Sequence, residues 1–275
     1  MTRTIQTFII DSFTDTPFKG NPAGVCWLPA NMDAPLADGD MQNIALELGL
    51  SETAFVSSMR DGEFSIRYFS PKMEIPLCGH ATLAAAKALS VSGRTGESMT
   101  FITGDGRVLT ARVKGEIIEM DFPVFDSVPA PVPDAMCAAL GIGAPVTSGF
   151  CDGIKSLLIE IEDVEVLRGL SPDYAALVPS HDGIDGACIT AKSDRAAYDF
   201  ESRYFWPWSG TDEDPVTGAA HSMLAPFWHK KLGKTQMRAF QCSSRGGFMG
   251  LDLTPNKGLI ISSQAQLIFK GELYI

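Results

Sequence analysis

Short apolar runs separated by turn-forming clusters dominate the chain, and most of them are too short for helices. Residues 4–10, rich in Ile, Phe and Thr, read as a strand. Phe18-Lys19-Gly20-Asn21-Pro22-Ala23-Gly24 is dense in turn residues and leads to a second apolar run at 25–28, which predicts a hairpin-like return. A helical period appears where Met41, Ile44, Ala45 and Leu48 fall at i, i+3, i+4 and i+7. Asp38 or Asp40 would cap that helix and Gly49 would stop it. Strands are expected at 53–56 and 64–69, a hairpin at 99–102 and 108–113 around Gly104-Asp105-Gly106, and a further strand at 117–122.

The second half opens with a helix at 134–140. Strands at 156–161 and 187–191 flank an amphipathic stretch at 164–178. A strand at 198–206 precedes a helix at 218–231, which Pro226 should bend. Strand-like runs follow at 237–240, 248–253, 259–262 and 266–274.

Two stretches share a pattern. RYFSPKMEIPLCGHATLAAAKAL starts at Arg67 and RYFWPWSGTDEDPVTGAAHSMLAPFW at Arg203. Each runs from Arg-Tyr-Phe-x-Pro through a polar or Pro-rich turn and enters a small-residue helix at a glycine, Gly79 or Gly218. The helix after Gly79 has Lys87 as its only charge, the composition of a buried helix. Backbone N–H groups at such a helix start favour an anion. The repeat predicts two similar domains, each a sheet wrapped around one buried helix whose N-terminus looks into a shared cleft. Strands outnumber helices and most connections read as hairpins, so the class is α+β with mainly antiparallel sheets. The proline-rich residues 123–133 place the boundary, giving domains 1–123 and 124–275, the first completed by the last few C-terminal residues.

Composition narrows the function. A formal charge of −11 and no run of Lys and Arg leave no footprint for nucleic acid. The first residues lack a signal h-region and no apolar run reaches membrane-spanning length, so a cytoplasmic protein is expected, without a membrane partner. The cysteines at 26, 78, 137, 151, 188 and 242 stand singly, as reduced thiols, and the four histidines have no ligand spacing, so no metal site is expected. Gly104-Asp105-Gly106 lacks the third glycine of a dinucleotide loop, and neither a Walker loop nor a G-x-S-x-G elbow is present.

Four positions could carry chemistry. Glu52, flanked by Ser51 and Thr53 between a helix and a strand, is either a solvated loop charge or a functional carboxylate. His80 lies at the mouth of the apolar helix, where the helix dipole disfavours an imidazolium. It is either a capping or core residue, or a neutral donor and acceptor. Asp214 could cap the second helix, leaving the backbone N–H groups of Thr217, Gly218 and Ala219 for a substrate carboxylate. Cys78, beside Gly79, is either an inert buried thiol or an activated one.

Taken in order, Gly20-Asn21-Pro22-Ala23-Gly24-Val25, Leu50-Ser51-Glu52-Thr53-Ala54-Phe55, Ser70-Pro71 with Glu74, Pro76 and Gly79-His80, and Glu213-Asp214-Pro215-Val216-Thr217-Gly218 resemble the phenazine-biosynthesis PhzF family of isomerases. The resemblance spans almost the whole chain. It implies a diaminopimelate epimerase-like fold with the site between two domains, and a homodimer. It also implies a cofactor-independent isomerase acting on a small carboxylate-bearing metabolite. Glu52 would then shuttle the proton as general acid and base, donating as a neutral acid whose pKa a closed cleft raises and accepting as its carboxylate, with His80 and Asp214 in support. Asn21, Ser51, Gly79, Thr217, Gly218 and Ala219 would line the substrate. The family's phenazine enzyme has a serine where this chain has Ala219, which implies a different substrate, and the 241–247 loop and Ser262-Ser263 also depart from its pattern. Diaminopimelate epimerase uses two opposed cysteines. Here Cys78 matches the first and Pro215-Val216-Thr217 offers no second, which leaves a one-cysteine racemase using another base, or a non-catalytic binding protein, as alternatives.

Overall fold

The structure is a computed structural model that describes residues 3–29, 35–256 and 258–275. In chain order the first half comprises β1 (Thr4–Ser12), β2 (Asn21–Leu28), α1 (Asp38–Leu48), β3 (Glu52–Arg60), β4 (Glu63–Phe69), β5 (Glu74–Ile75), α2 (Gly79–Val91), β6 (Ser98–Thr103), β7 (Val108–Lys114) and β8 (Ile117–Pro123). The second half comprises β9 (Val128–Pro129), α3 (Asp134–Leu140), β10 (Thr147–Cys151), β11 (Ser156–Glu160), α4 (Val164–Gly169), α5 (Tyr174–Leu177), β12 (Gly186–Lys192), β13 (Phe200–Phe205), β14 (Glu213–Asp214), α6 (His221–Leu232), β15 (Gln236–Gln241), β16 (Gly247–Leu253) and β17 (Gly258–Ser263), followed by β18 (Ala265–Tyr274).

Two compact units result, Met1–Asp121 with Ser262–Ile275, and Phe122–Ile261. The C-terminal strand β18 runs antiparallel to β1, from Thr4 opposite Tyr274 to Ser12 opposite Ala265. Residues 262–275 therefore lie in the first unit, not with the rest of 124–275. The proline-rich stretch opens the second unit and contributes β9, whose Pro129 pairs opposite Gly149 of β10.

The strand pairings repeat. In the first unit β2 runs parallel to β3, β3 antiparallel to β4, β4 antiparallel to β5 and parallel to β6, and β6 antiparallel to β7. In the second, β11, β12, β13, β14, β15 and β16 follow the same sequence of senses. Parallel neighbours need a crossover, and each unit supplies two. In the first they are α1 and α2; in the second they are α4 with α5, and α6. Reading most connections as hairpins overlooked these crossovers, although both sheets are mainly antiparallel.

Each unit buries its second crossover helix. In α2 every residue from His80 to Leu89 except Lys87 is buried, and the helix packs on β1, β2, β3, β7 and β18. The stripe Met41, Ile44 and Ala45 of α1 joins Ile5, Cys26, Phe55 and Phe69 in a separate cluster. The α1 helix starts without a side-chain cap, after Ala37, so neither Asp38 nor Asp40 has the capping role their position suggested. The Asp38 carboxylate instead accepts from Arg67 Nη1 at 2.7 Å. In the second unit Trp228 of α6 stacks on Phe200 at 5.3 Å and donates through Nε1 to Thr190 Oγ1 at 3.0 Å.

The shared Arg-Tyr-Phe has a physical role. Arg67 grips both oxygens of Glu74 at 2.7 Å, and Arg203 grips both oxygens of Glu213 at 2.7 and 2.8 Å. Each pair ties a long strand to the short strand leading toward its helix. The clamps differ in environment. The Arg203 side chain is 9% exposed and also donates to the Leu170 carbonyl, whereas that of Arg67 is 30% exposed. Removing one partner of a buried pair strands the other charge, while exposed pairs contribute little. Arg203→Met should therefore cost about 3 kcal/mol, and Arg67→Met about 1 kcal/mol or less, as read from the denaturant midpoints of the two variants.

Candidate active site

In the first unit three separate segments place polar groups together. Asn21 begins β2, Glu52 begins β3 and His80 is the second residue of α2. The parallel pairing of β2 with β3 sets Ala23 opposite Glu52, and so brings the start of β2 beside that carboxylate. Gly20 makes the approach to β2 possible. It has φ +68°, and a Cβ there would sit 2.0 Å from the Ser12 carbonyl oxygen. Ser12 donates its hydroxyl to the His80 carbonyl at 2.8 Å and anchors the first turn of α2 to β1.

Glu52 is not a solvated loop charge. It is 6% exposed, and its Oε2 lies 3.1 Å from His80 Nε2. The opposite ring nitrogen, Nδ1, is 3.2 Å from Asn21 Nδ2 and 3.4 Å from Cys78 Sγ. Ser51 Oγ lies 3.4 Å from His80 Nε2, 3.4 Å from Asn21 Oδ1 and 3.3 Å from the Pro22 carbonyl. Gly79 is the first residue of α2, after Cys78.

The charges reverse two expectations. Burial by itself raises the Glu52 carboxyl pKa, but the hydrogen bond and charge of His80, with a hydrogen bond from Ser51, overcome this and leave it below its ordinary value. Burial likewise disfavours the His80 imidazolium, yet contact with Cys78 and Glu52 carries the ring well above the usual histidine range. Burial holds the Cys78 thiol up, so it is protonated at neutral pH. The helix dipole does not keep His80 neutral because a carboxylate at 3.1 Å outweighs partial charges at the helix start. Glu52 in this state is an ionised carboxylate, not a carboxylic acid with a raised pKa. A doubly protonated ring donates from both nitrogens, so Asn21 must then present its carbonyl, not its amide nitrogen, to Nδ1.

In the second unit Asp214 ends β14, opposite Tyr204. It does not cap α6, which begins at His221 after Ala220 without a side-chain cap. Its Oδ2 accepts from Thr217 Oγ1 at 2.6 Å. The Thr217 N–H is used internally, donating to Gln241 Oε1 at 2.8 Å, while Gln241 Nε2 donates to the Asp214 carbonyl at 2.7 Å. Gly218 and Ala219 form the turn into α6, their carbonyls accepting from the N–H groups of His221 and Ser222. His221 Nδ1 donates to the Thr217 carbonyl at 2.9 Å, and complete burial pushes its pKa down to about 4, so this ring is neutral.

Sequence reasoning missed Ser12, Gln241 and His221 as braces. Gln241 had a signal, because it stands at the head of the altered 241–247 loop; Ser12 and His221 had none beyond proximity to motif residues. Glu52, Cys78 and His80 present one ligand atom each, all within 4.8 Å of one another.

The motifs are thus gathered into two braced clusters, one per unit. A family model described as phenazine biosynthesis-like protein matches residues 10–266. The chain belongs to the PhzF family. An uncharacterized isomerase of Pseudomonas aeruginosa is 41% identical over 98% of this chain and 99% of its own length. A PhzF-family crystal structure from Enterococcus faecalis is 36% identical, with a TM-score of 0.90 over 99% of this chain and 100% of that one. A hydroxyproline epimerase from Agrobacterium vitis shares the fold at 11% identity, with a TM-score of 0.61 over 99% of this chain and 93% of that one. Among the described residues no helix is long and apolar enough to cross a membrane.

Gly20→Ala should lose about 2 kcal/mol or more, since it combines a left-handed backbone penalty with a backbone clash. Chemical denaturation checks this, and a stability within a few tenths of the parent would show that the Gly20 turn is not required to seat Asn21.

Proposed function

We propose that this PhzF-family chain is an isomerase that relocates a proton on a small carboxylate-bearing metabolite, with Glu52 as the base that takes the proton and the acid that returns it. The observation that carries this reading is the buried Glu52–His80 pair. The pair keeps Glu52 ionised in a nearly water-free position, so that it can accept a proton without first having to lose one. His80 and Ser51 hydrogen-bond to it, and Asn21 lies against both of them.

In the proposed step Glu52 Oε removes a proton from a carbon next to an unsaturated or carbonyl group. The electron pair left behind delocalises into that group. Protonated Glu52 then returns the proton to a different carbon of the same conjugated system. Nothing is oxidised or reduced, and the proton count closes without a co-reactant. His80 offsets the charge as Glu52 cycles between its two forms. Asp214 and the turn at Gly218 and Ala219 would take substrate-binding roles in the second unit, with Thr217 acting through its hydroxyl because its N–H is already bonded. Ala219 offers no hydroxyl, which favours a substrate lacking a polar group at that contact.

A one-cysteine racemase is the second reading, favoured by Cys78 Sγ lying 3.4 Å from His80 Nδ1. It requires a thiolate, and burial holds this thiol in its protonated form.

Screening small cyclic and amino-acid carboxylates for deuterium uptake from heavy water tests both. Glu52→Gln should lower exchange by about 10²–10⁴-fold, whereas Cys78→Ser should leave it within a few-fold of the parent. Undiminished exchange in Glu52→Gln would remove the assignment, and loss of exchange in Cys78→Ser alone would replace it with the thiol mechanism.

A further inference from the structure

The repeat lets two copies of one device be compared. Set in register on Gly79 and Gly218, the two helix entries align Cys78 with Thr217 and Thr82 with His221, while Tyr68 and Tyr204 hold the second place of the shared Arg-Tyr-Phe. In the first unit Thr82 Oγ1 donates to the Cys78 carbonyl at 2.7 Å. In the second His221 Nδ1 donates to the Thr217 carbonyl at 2.9 Å. Both units thus pin the carbonyl that precedes the glycine with the side chain four residues on, so this bond belongs to the architecture.

The tyrosines differ. Tyr68 Oη lies 2.5 Å from Thr82 Oγ1. A carbonyl can only accept, so the single Thr82 hydroxyl proton is committed to Cys78 and Tyr68 must be the donor of the second bond. Burial holds the phenol protonated, as that direction requires. The result is a chain from Tyr68 through Thr82 to the Cys78 carbonyl, with Tyr68 1% and Thr82 0% exposed. In the second unit Tyr204 Oη instead lies 2.6 Å from Ser156 Oγ, and a Cβ on Gly186 would come within 2.5 Å of it. His221 Nε2 is left without a partner among the described residues. The phenol link is present only in the copy that holds the Glu52–His80 pair, so the shared topology does not require it.

We propose that Tyr68 is a positioning residue for the Glu52–His80 pair, acting through Thr82 on the carbonyl of Cys78. The turn Cys78-Gly79-His80 is held at both ends. The Tyr68–Thr82 chain fixes its first carbonyl, and the Ser12 hydroxyl, at 2.8 Å, fixes its last. The peptides between those anchors are planar, so the His80 Cα has little freedom to roll about the helix axis and the ring meets Glu52 in one orientation. Without the Tyr68 hydroxyl, Thr82 loses the group that fixes its own orientation, and the imidazole samples geometries with Nε2 farther from the carboxylate. A slower proton transfer would follow. That consequence rests on the isomerase reading; the placement of the ring does not.

The test follows the His80 Nε2 proton in ¹H–¹⁵N spectra of the full chain. Tyr68→Phe should speed its exchange with water by roughly three- to tenfold, the effect of losing one buried hydrogen bond. Thr82→Val should do the same, while Thr82→Ser, which keeps the hydroxyl, should match the parent. Tyr204→Phe removes a comparably buried phenol from the second unit and should leave the His80 signal unmoved, which separates positioning from a general loss of stability. In deuterium uptake from heavy water, Tyr68→Phe should lower kcat by about tenfold at an unchanged KM. An unchanged Nε2 proton in Tyr68→Phe, or equal acceleration in Tyr204→Phe, would overturn the proposal. If Thr82→Val fails to fold, the Tyr68→Phe and Thr82→Ser spectra still decide it. A displaced His80 signal in Tyr68→Phe with no deuterium uptake by the parent would sink the isomerase reading alone, and parent uptake with an undisturbed His80 signal would sink the positioning role alone.

Discussion

A carboxylate and an imidazole held 3.1 Å apart, each with less than a tenth of its surface exposed, set the terms for the rest of the first unit. Burying either charge alone would be costly, and each group shifts the other toward its ionised form. That balance depends on placement. Gly20 allows the tight approach of Asn21, the parallel β2–β3 pairing brings Glu52 alongside, and Ser12 fastens the first turn of α2 so that His80 meets the carboxylate. The fold's contribution to chemistry is the alignment of three strand and helix beginnings.

The second unit repeats the architecture and uses it differently. Its clamp, Arg203 with Glu213, is the more buried of the two. The turn before α6 is held from several directions, by Gln241 across to Asp214 and Thr217, by Ser243 on the Pro215 carbonyl, and by His221 on the Thr217 carbonyl. Where the first unit presents an ion pair, this one presents a hydrogen-bonded carboxylate and a fixed turn. One topology thus carries a buried ion pair in one copy and a hydrogen-bonded turn in the other, which fits the proposed division between chemistry and substrate binding.

Much of this was legible in the chain. The Arg-Tyr-Phe repeat marked the corresponding strands, and the apolar composition of residues 80–89 marked the buried helix, because both reflect local patterns. The helix end at Gly49 follows from left-handed backbone at that glycine. The parallel pairings were not legible, since a strand's neighbour is chosen by the crossover and not by its own residues. The electrostatics of the site were misread for a similar reason. From sequence His80 has only a helix dipole for company, and the carboxylate that reverses its charge arrives from a strand 28 positions away. Asp214 was misread as a cap because α6 begins later than Gly218 suggested, after a turn that uses Gly218 and Ala219.

The central claim is that Glu52 and His80 form an ion pair before any substrate binds, and the most direct measurement is ¹⁵N NMR of the His80 ring in metal-free protein at neutral pH. The account predicts that both ring nitrogens carry protons, and that in Glu52→Gln the ring returns to a neutral tautomer. A parent spectrum with one bare ring nitrogen, unchanged by Glu52→Gln, would contradict it.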